Sequence, residues 1–267
     1  MKKIKYLSLI MILTLVLTGC GDKTTSSGGI DNGSNKEVKY YSNAETIYFN
    51  AETGKKCNNY EESNSDTKNT SGCLKWYLYS DNGDGTINLL LDHNITNHIN
   101  WAKDGEGKNG PSKEFLNTLK ETTNKWAGVK DRKDKYTLSQ NYTIDYKGYK
   151  ARLISAEEIM NIIGQDTSKL NYNTQIYFDK DNCDYNKTNN CSYGWLFDRT
   201  QSDCSSYGCL NDGGHSYWTS TAFIGSQIKA WEVTLNFVYP ASTEITDTDL
   251  GNLGIRPVIT IDKSLIK

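Results

Sequence analysis

Apolar and polar residues alternate along 44–50 and again along 75–80, and 86–92 is a mainly apolar run built on Ile87 and Leu89-Leu90-Leu91. Alternation with a period of two marks a half-buried strand, and a short continuous apolar run marks a fully buried one. The segment Asp81-Asn82-Gly83-Asp84-Gly85 joins the last two runs and predicts a hairpin turn. Over 111–127 the period becomes helical. Phe115, Leu116, Leu119, Thr123 and Trp126 fall on one face, Pro111 and Ser112 mark a start, Glu114 suits the positive N-terminal end, and Gly128 is a stop.

Residues 142–146 and 149–154, around Lys147-Gly148, read as a second hairpin or strand pair. The chain then runs into Ser155-Ala156-Glu157-Glu158, where Ser155 and Glu158 have the spacing of a capping box. A second helix is expected over 156–163, burying Ile159, Met160, Ile162 and Ile163 and stopped by Gly164. From 165 to 215 no period is visible, which in a compact domain implies a functional or stapled loop. Three runs rich in β-branched and aromatic residues follow, S-Y-W-T-S-T-A (216–222), A-W-E-V-T-L-N (230–236) and G-I-R-P-V-I-T-I-D (254–262), expected as the strands of a final small sheet.

Composition narrows the class. A chain of 267 residues, 36% hydrophobic, buries a core of its own, and no proline-rich linker divides it. The 18 tyrosines and 6 tryptophans against 3 prolines suit a β-rich domain with polar loops. The formal charge of -2, with 32 acidic residues against 30 basic ones, gives no electrostatic footprint for nucleic acid.

The N-terminus carries an address. Lys2, Lys3 and Lys5 precede an apolar run over 6–17, too short for a bilayer span of roughly 20 residues but suited to a secretory signal. It ends in Leu17-Thr18-Gly19-Cys20, which resembles the bacterial lipobox, with cleavage before Cys20 and a diacylglyceryl group on its sulfur. Residues 1–19 are therefore expected as a cleaved signal, 20–37 as a lipid-anchored tether of mainly small polar residues, and 38–267 as the folded domain. The expected location is extracytoplasmic, on the bacterial cell membrane.

Six further cysteines, Cys57, Cys73, Cys183, Cys191, Cys204 and Cys209, form an even set suited to disulfides in an exported protein. Of 15 connectivities, joining neighbours is the simplest, because each neighbouring pair brackets a polar loop. Closing the loop from Cys57 to Cys73 contributes about 3 kcal/mol through the lost entropy of the unfolded chain. Zinc is disfavoured, since no C-x-x-C or H-x-x-x-H spacing occurs. A calcium loop around Asn82 and Asp84 fails in register, with Leu91 where a bidentate Glu is required. Gly105-Glu106-Gly107-Lys108 lacks the spacing of a phosphate-binding loop. No metal or cofactor is expected.

The order of elements, with A-R-L-I-S (151–155) leading into the second helix, then the long loop, Y-W-T-S (217–220), A-W-E-V (230–233) and G-I-R-P-V (254–258), resembles the C-type-lectin-like fold. The likeness is closest to its bacterial surface and lipoprotein branch and covers residues 40–267. It implies an α+β domain with two helices packed on small antiparallel sheets, paired N- and C-terminal strands, and a disulfide-stapled loop region facing the ligand. Trp218 and Trp231 match aromatic core positions, and Arg256 and Pro257 match the terminal strand, in structural roles. The Glu-Pro-Asn, Gln-Pro-Asp and Trp-Asn-Asp runs of calcium-dependent sugar binders are absent.

Catalytic readings are thin. Formylglycine-generating oxidases share this broad fold and use two cysteines separated by four residues, a spacing Cys204 and Cys209 reproduce, but the family's Gly-Gly-Ser-aromatic lead-in is missing. His93, His98 and His215 accompany no nucleophile-elbow sequence. No catalytic residue is assigned and the chain is read as a non-enzyme. The long loop carries Tyr172, Tyr177, Tyr185, Tyr193, Trp195, Phe197 and Tyr207, and aromatics with amide neighbours suit stacking on glycans or anchoring on proteins. Tyr185, Tyr193, Trp195 and Tyr207 are the ligand-binding candidates. The expected role is non-catalytic recognition of a glycan or protein, with the oxidase and a passive envelope spacer as alternatives.

Overall fold

A computed structural model describes residues 37–58, 72–96, 99–103, 106–173, 175–178, 193–197, 216–234, 237–242 and 253–267. Residues 1–36, which include Cys20 and the expected signal and tether, and also His98, His215 and the cysteines at 183, 191, 204 and 209, lie outside the described residues.

The apolar run at 86–92 becomes β4 (Thr86–Leu91), in which Ile87, Leu89, Leu90 and Leu91 are all sealed from solvent. A strand apolar on both faces needs cover on both sides, and this one lies inside a six-stranded antiparallel sheet. Its order is β2-β1-β3-β4-β12-β7, with β1 Lys39–Asn50, β2 Lys55–Lys56, β3 Cys73–Asp81, β7 Arg152–Leu153 and β12 Pro257–Asp262. The β3–β4 hairpin forms as expected. Its turn is held by carboxylates that accept backbone N–H groups, Asp81 from Gly83 (3.0 Å) and Asp84 from Thr86 (2.9 Å).

Each face of this sheet carries its own core. On one, Trp76, Leu89, Leu91, Ile259 and Ile261 pack with Phe115 and Leu119 of α1 (Lys113–Thr123) and with Trp126. Ser112 caps α1 by accepting from Phe115 N. The helix is shorter than the expected 111–127. The Thr123 hydroxyl donates to the Leu119 carbonyl (2.8 Å), and Trp126 reaches the core from the turn beyond. On the other face Tyr77, Tyr79, Leu90 and Val258 meet α2 (Ala156–Ile162) and a second sheet. Both halves of the capping box are present at α2, and Gly164 ends it at φ +65°.

The second sheet is four-stranded and antiparallel, ordered β8-β11-β10-β9, with β8 Ile176–Tyr177, β9 Tyr217–Ala222, β10 Lys229–Thr234 and β11 Phe237–Ser242. The chain is thus α+β, with two helices among the described residues, small antiparallel sheets and a disulfide joining Cys57 to Cys73.

Several expectations are corrected. The three C-terminal runs do not share a sheet: β9 and β10 belong to the small one, while β12 adds to β4 in the large one. The missing partner of β10 is β11, a strand not expected from the sequence, which carries Pro240 opposite Trp231. Residues 142–146 and 149–154 do not pair. β6 (Thr143–Asp145) pairs with β5 (Lys135–Thr137), and β7 pairs with β12. The N- and C-terminal strands share a sheet but are not neighbours, because the β3–β4 hairpin stands between β1 and β12.

Candidate functional site

Of the four loop aromatics singled out from sequence, Tyr185 and Tyr207 lie outside the described residues. Tyr193 is half-buried, edge-on to Phe178 with ring centroids 6.4 Å apart. Trp195 is 9% exposed. Its ring lies 5.8 Å from that of Tyr77 and 6.4 Å from that of Tyr79, and its indole N–H donates to the Ser42 carbonyl at 2.9 Å. This ring is core. The face of β3 turned toward it carries Tyr77 and Tyr79, and covering them takes a large flat side chain.

Arg256 fixes the same segment. From β12's approach its Nε donates to Leu91 O (2.6 Å), Nη1 to Leu196 O (2.6 Å) and Nη2 to Trp195 O (2.9 Å). Tyr217 adds its hydroxyl to Leu196 O at 2.7 Å. The buried guanidinium thereby joins 195–196 to β4. The large apolar side chains that the long loop exposes, among the described residues, are Tyr172 (66%) and Tyr177 (36%).

Tyr177 opens a surface that includes the small sheet. Side chains alternate along β10, so Trp231 and Val233 enter the second core while Ala230, Glu232 and Thr234 take the other face. Glu232 is paired in register with Trp218 on β9 and Tyr239 on β11, and directly opposed residues share a face. Tyr239 is 38% exposed, Trp218 is sealed, and Glu232 is 8% exposed. No hydrogen bond or ion pair among the described residues reaches the Glu232 carboxyl, and burial alone pushes it up to about 8. The sequence signal for it was one acidic residue at the centre of A-W-E-V, a run otherwise fit for a core.

Glu157 and Glu158 of α2 are engaged. Glu158 accepts from Arg152 Nη1 and Nη2 (2.6 and 2.7 Å), from the Tyr79 hydroxyl (3.0 Å) and from Ser155 N (3.0 Å). Burial raises the Tyr79 and Tyr136 hydroxyls well above their usual range around this cluster. Glu157 accepts from Ser139 Oγ and Thr221 Oγ1, both at 2.7 Å, which ties α2 to β9. His93 is buried. A cleft of about 420 Å³ beside the disulfide is lined by Asn50, Thr53, Lys55, Lys56 and both cysteines, and its lysines are exposed.

No family model, no curated protein and no solved structure matches this chain.

Proposed function

We propose that this chain is an extracytoplasmic bacterial lipoprotein whose 38–267 region is a C-type-lectin-like module for non-catalytic recognition of a glycan or protein. The observation that carries the recognition reading is the exposure of Tyr177 and Tyr239, both fixed on strands of the small sheet and on one face of it, with Tyr172 exposed five residues before Tyr177. Tyrosines on rigid backbone present large amphipathic contact area at low entropic cost.

The lipoprotein reading rests on the lysine-rich start, the apolar run and Leu17-Thr18-Gly19-Cys20. The Cys57–Cys73 bond agrees with an oxidising compartment. Each buried acyl methylene contributes about 0.8 kcal/mol to the hold on the membrane. Support for the lectin-like fold comes from the buried Trp218 and Trp231, the structural role of Arg256 and the two helices on antiparallel sheets.

Two measurements test this. Replacing Cys20 by alanine is expected to abolish acylation, read by mass spectrometry, and membrane retention. Binding of residues 21–267 to glycan, cell-wall and protein arrays is expected to give a signal that drops about tenfold when Tyr177 and Tyr239 become alanine, the loss typical of an interface hot spot. Blank arrays would make the module a passive spacer.

A further inference from the structure

We infer that the sheet face holding Glu232 and Tyr239 is a binding site for an organic ammonium ion. The inference rests on the recognition reading and names the ligand class for that surface.

The carboxyl is the starting point. A carboxylate taken out of water is costly unless a cation or hydrogen-bond donors compensate it. Among the described residues nothing compensates Glu232, which lies on a middle strand of the small sheet, regularly paired with β11 and next to a register shift on the β9 side. Along the strand its same-face neighbours are the small Ala230 and Thr234, and across the strands they are Trp218 and the half-exposed Tyr239. Tyr177 stands on the same face one strand further out, in register with Phe237.

Among the described residues no charge fills the place. Lys229 and Tyr217 belong to the opposite face by alternation. The strands and turns packed on β10 bring Tyr239 from β11, Glu106 and Lys108 from the exposed positions of the turn Glu106–Asn109, and nothing titratable from Gly194–Phe197. Neither Glu106 nor Lys108 perturbs the carboxyl.

A partly desolvated acid beside the half-exposed ring of Tyr239, with Trp218 sealed on its other side, selects its ligand by charge. Ring faces attract a cation within about 6 Å, and more strongly when water is excluded. A metal ion is a poor fit, because one carboxyl supplies too few oxygens for calcium or magnesium. An anion is repelled. An ammonium carried on an organic body satisfies both the charge and the aromatic surface.

Protonation follows from the same geometry. Burial holds the Glu232 carboxyl up to about 8, so near neutral pH it is mostly protonated. Uptake of a cation then displaces the proton, and affinity rises with pH until the carboxyl is ionised without help.

The test uses choline, whose charge does not titrate, and 3,3-dimethylbutan-1-ol, its uncharged isostere, in calorimetric titrations of the full chain at pH 6 and pH 9. Choline is expected to bind at least about tenfold more tightly at pH 9, as proton competition dictates, and the isostere not at all. Glu232→Gln is expected to weaken choline and abolish the pH dependence, and Tyr239→Ala to weaken it at both pH values. Equal binding of the isostere, an unchanged Glu232→Gln titration, or no choline binding by folded protein overturns the inference. An array ligand held equally by wild type and Glu232→Gln leaves recognition standing and removes only the ammonium site. Blank arrays with pH-dependent choline binding do the reverse.

Discussion

The Arg152 guanidinium and the Glu158 carboxylate face each other through two parallel hydrogen bonds of 2.6 and 2.7 Å, in a place where their side chains are 1% and 4% exposed. Arg152 comes from β7 at the edge of the large sheet and Glu158 from the first turn of α2. The pair therefore fixes how the helix leaves the strand. Glu158 does this while completing the capping box with its bond from Ser155 N.

Removing one partner is expected to cost far more than removing both. Arg152→Met leaves a buried, unpaired carboxylate and should destabilise the fold by about 3 to 5 kcal/mol. Arg152→Met with Glu158→Leu should recover much of that loss. Urea unfolding of the two variants checks the difference, and equal midpoints would refute it.

Stability is expected to fall with rising pH on account of Glu232. Its carboxyl goes from 4.5 to about 8 on folding, so between those values the folded chain holds a proton that the unfolded chain has released. The contribution is full below 4.5 and lost by about 8, on the order of 5 kcal/mol at about 1.4 kcal/mol per pH unit. Glu232→Gln should flatten this decline in thermal unfolding recorded from pH 5 to pH 9.

The Cys57–Cys73 bond closes a separation of 16 residues between the end of the β1–β2 hairpin and the start of β3. Replacing both cysteines by serine is expected to lower stability by about 3 kcal/mol through the freed unfolded chain. Equal stability of this variant and wild type without reductant would mean the bond adds nothing.

Gly254 explains the first position of G-I-R-P. A Cβ there would lie 2.1 Å from the Thr96 carbonyl oxygen and 2.7 Å from the Asn94 amide nitrogen. Ile95 N donates to Ile255 O and Trp218 N to Gly254 O, so three segments converge on this backbone. Gly254→Ala must push backbone against backbone and should destabilise by about 1 to 3 kcal/mol, as overpacking does. Calorimetric melting checks it.

Legibility followed the range of the interactions. The β3–β4 turn, the Ser112 cap and the Ser155–Glu158 box are closed by residues a few positions apart, and each could be read from spacing alone. Trp195 could not. An aromatic in a polar, glycine- and asparagine-rich loop reads as a surface ring until Tyr77, Tyr79 and Ser42, all more than a hundred positions away, close around it. Glu232 was equally hidden, since one acid in a strand suggests an exposed position and only the neighbouring strands bury it.

By itself, then, the sequence determined the strands' apolar runs, the two helix starts, the Cys57–Cys73 pairing as the simplest choice and the α+β class, because local spacing and short-range capping decide those. Tertiary structure alone decided that β12 joins β4, that β11 completes the small sheet, that Trp195 turns inward and that Glu232 is buried across from Tyr239. Which strand edge meets which, and what water leaves behind when they meet, depends on contacts between residues far apart in the chain, and no local pattern encodes them.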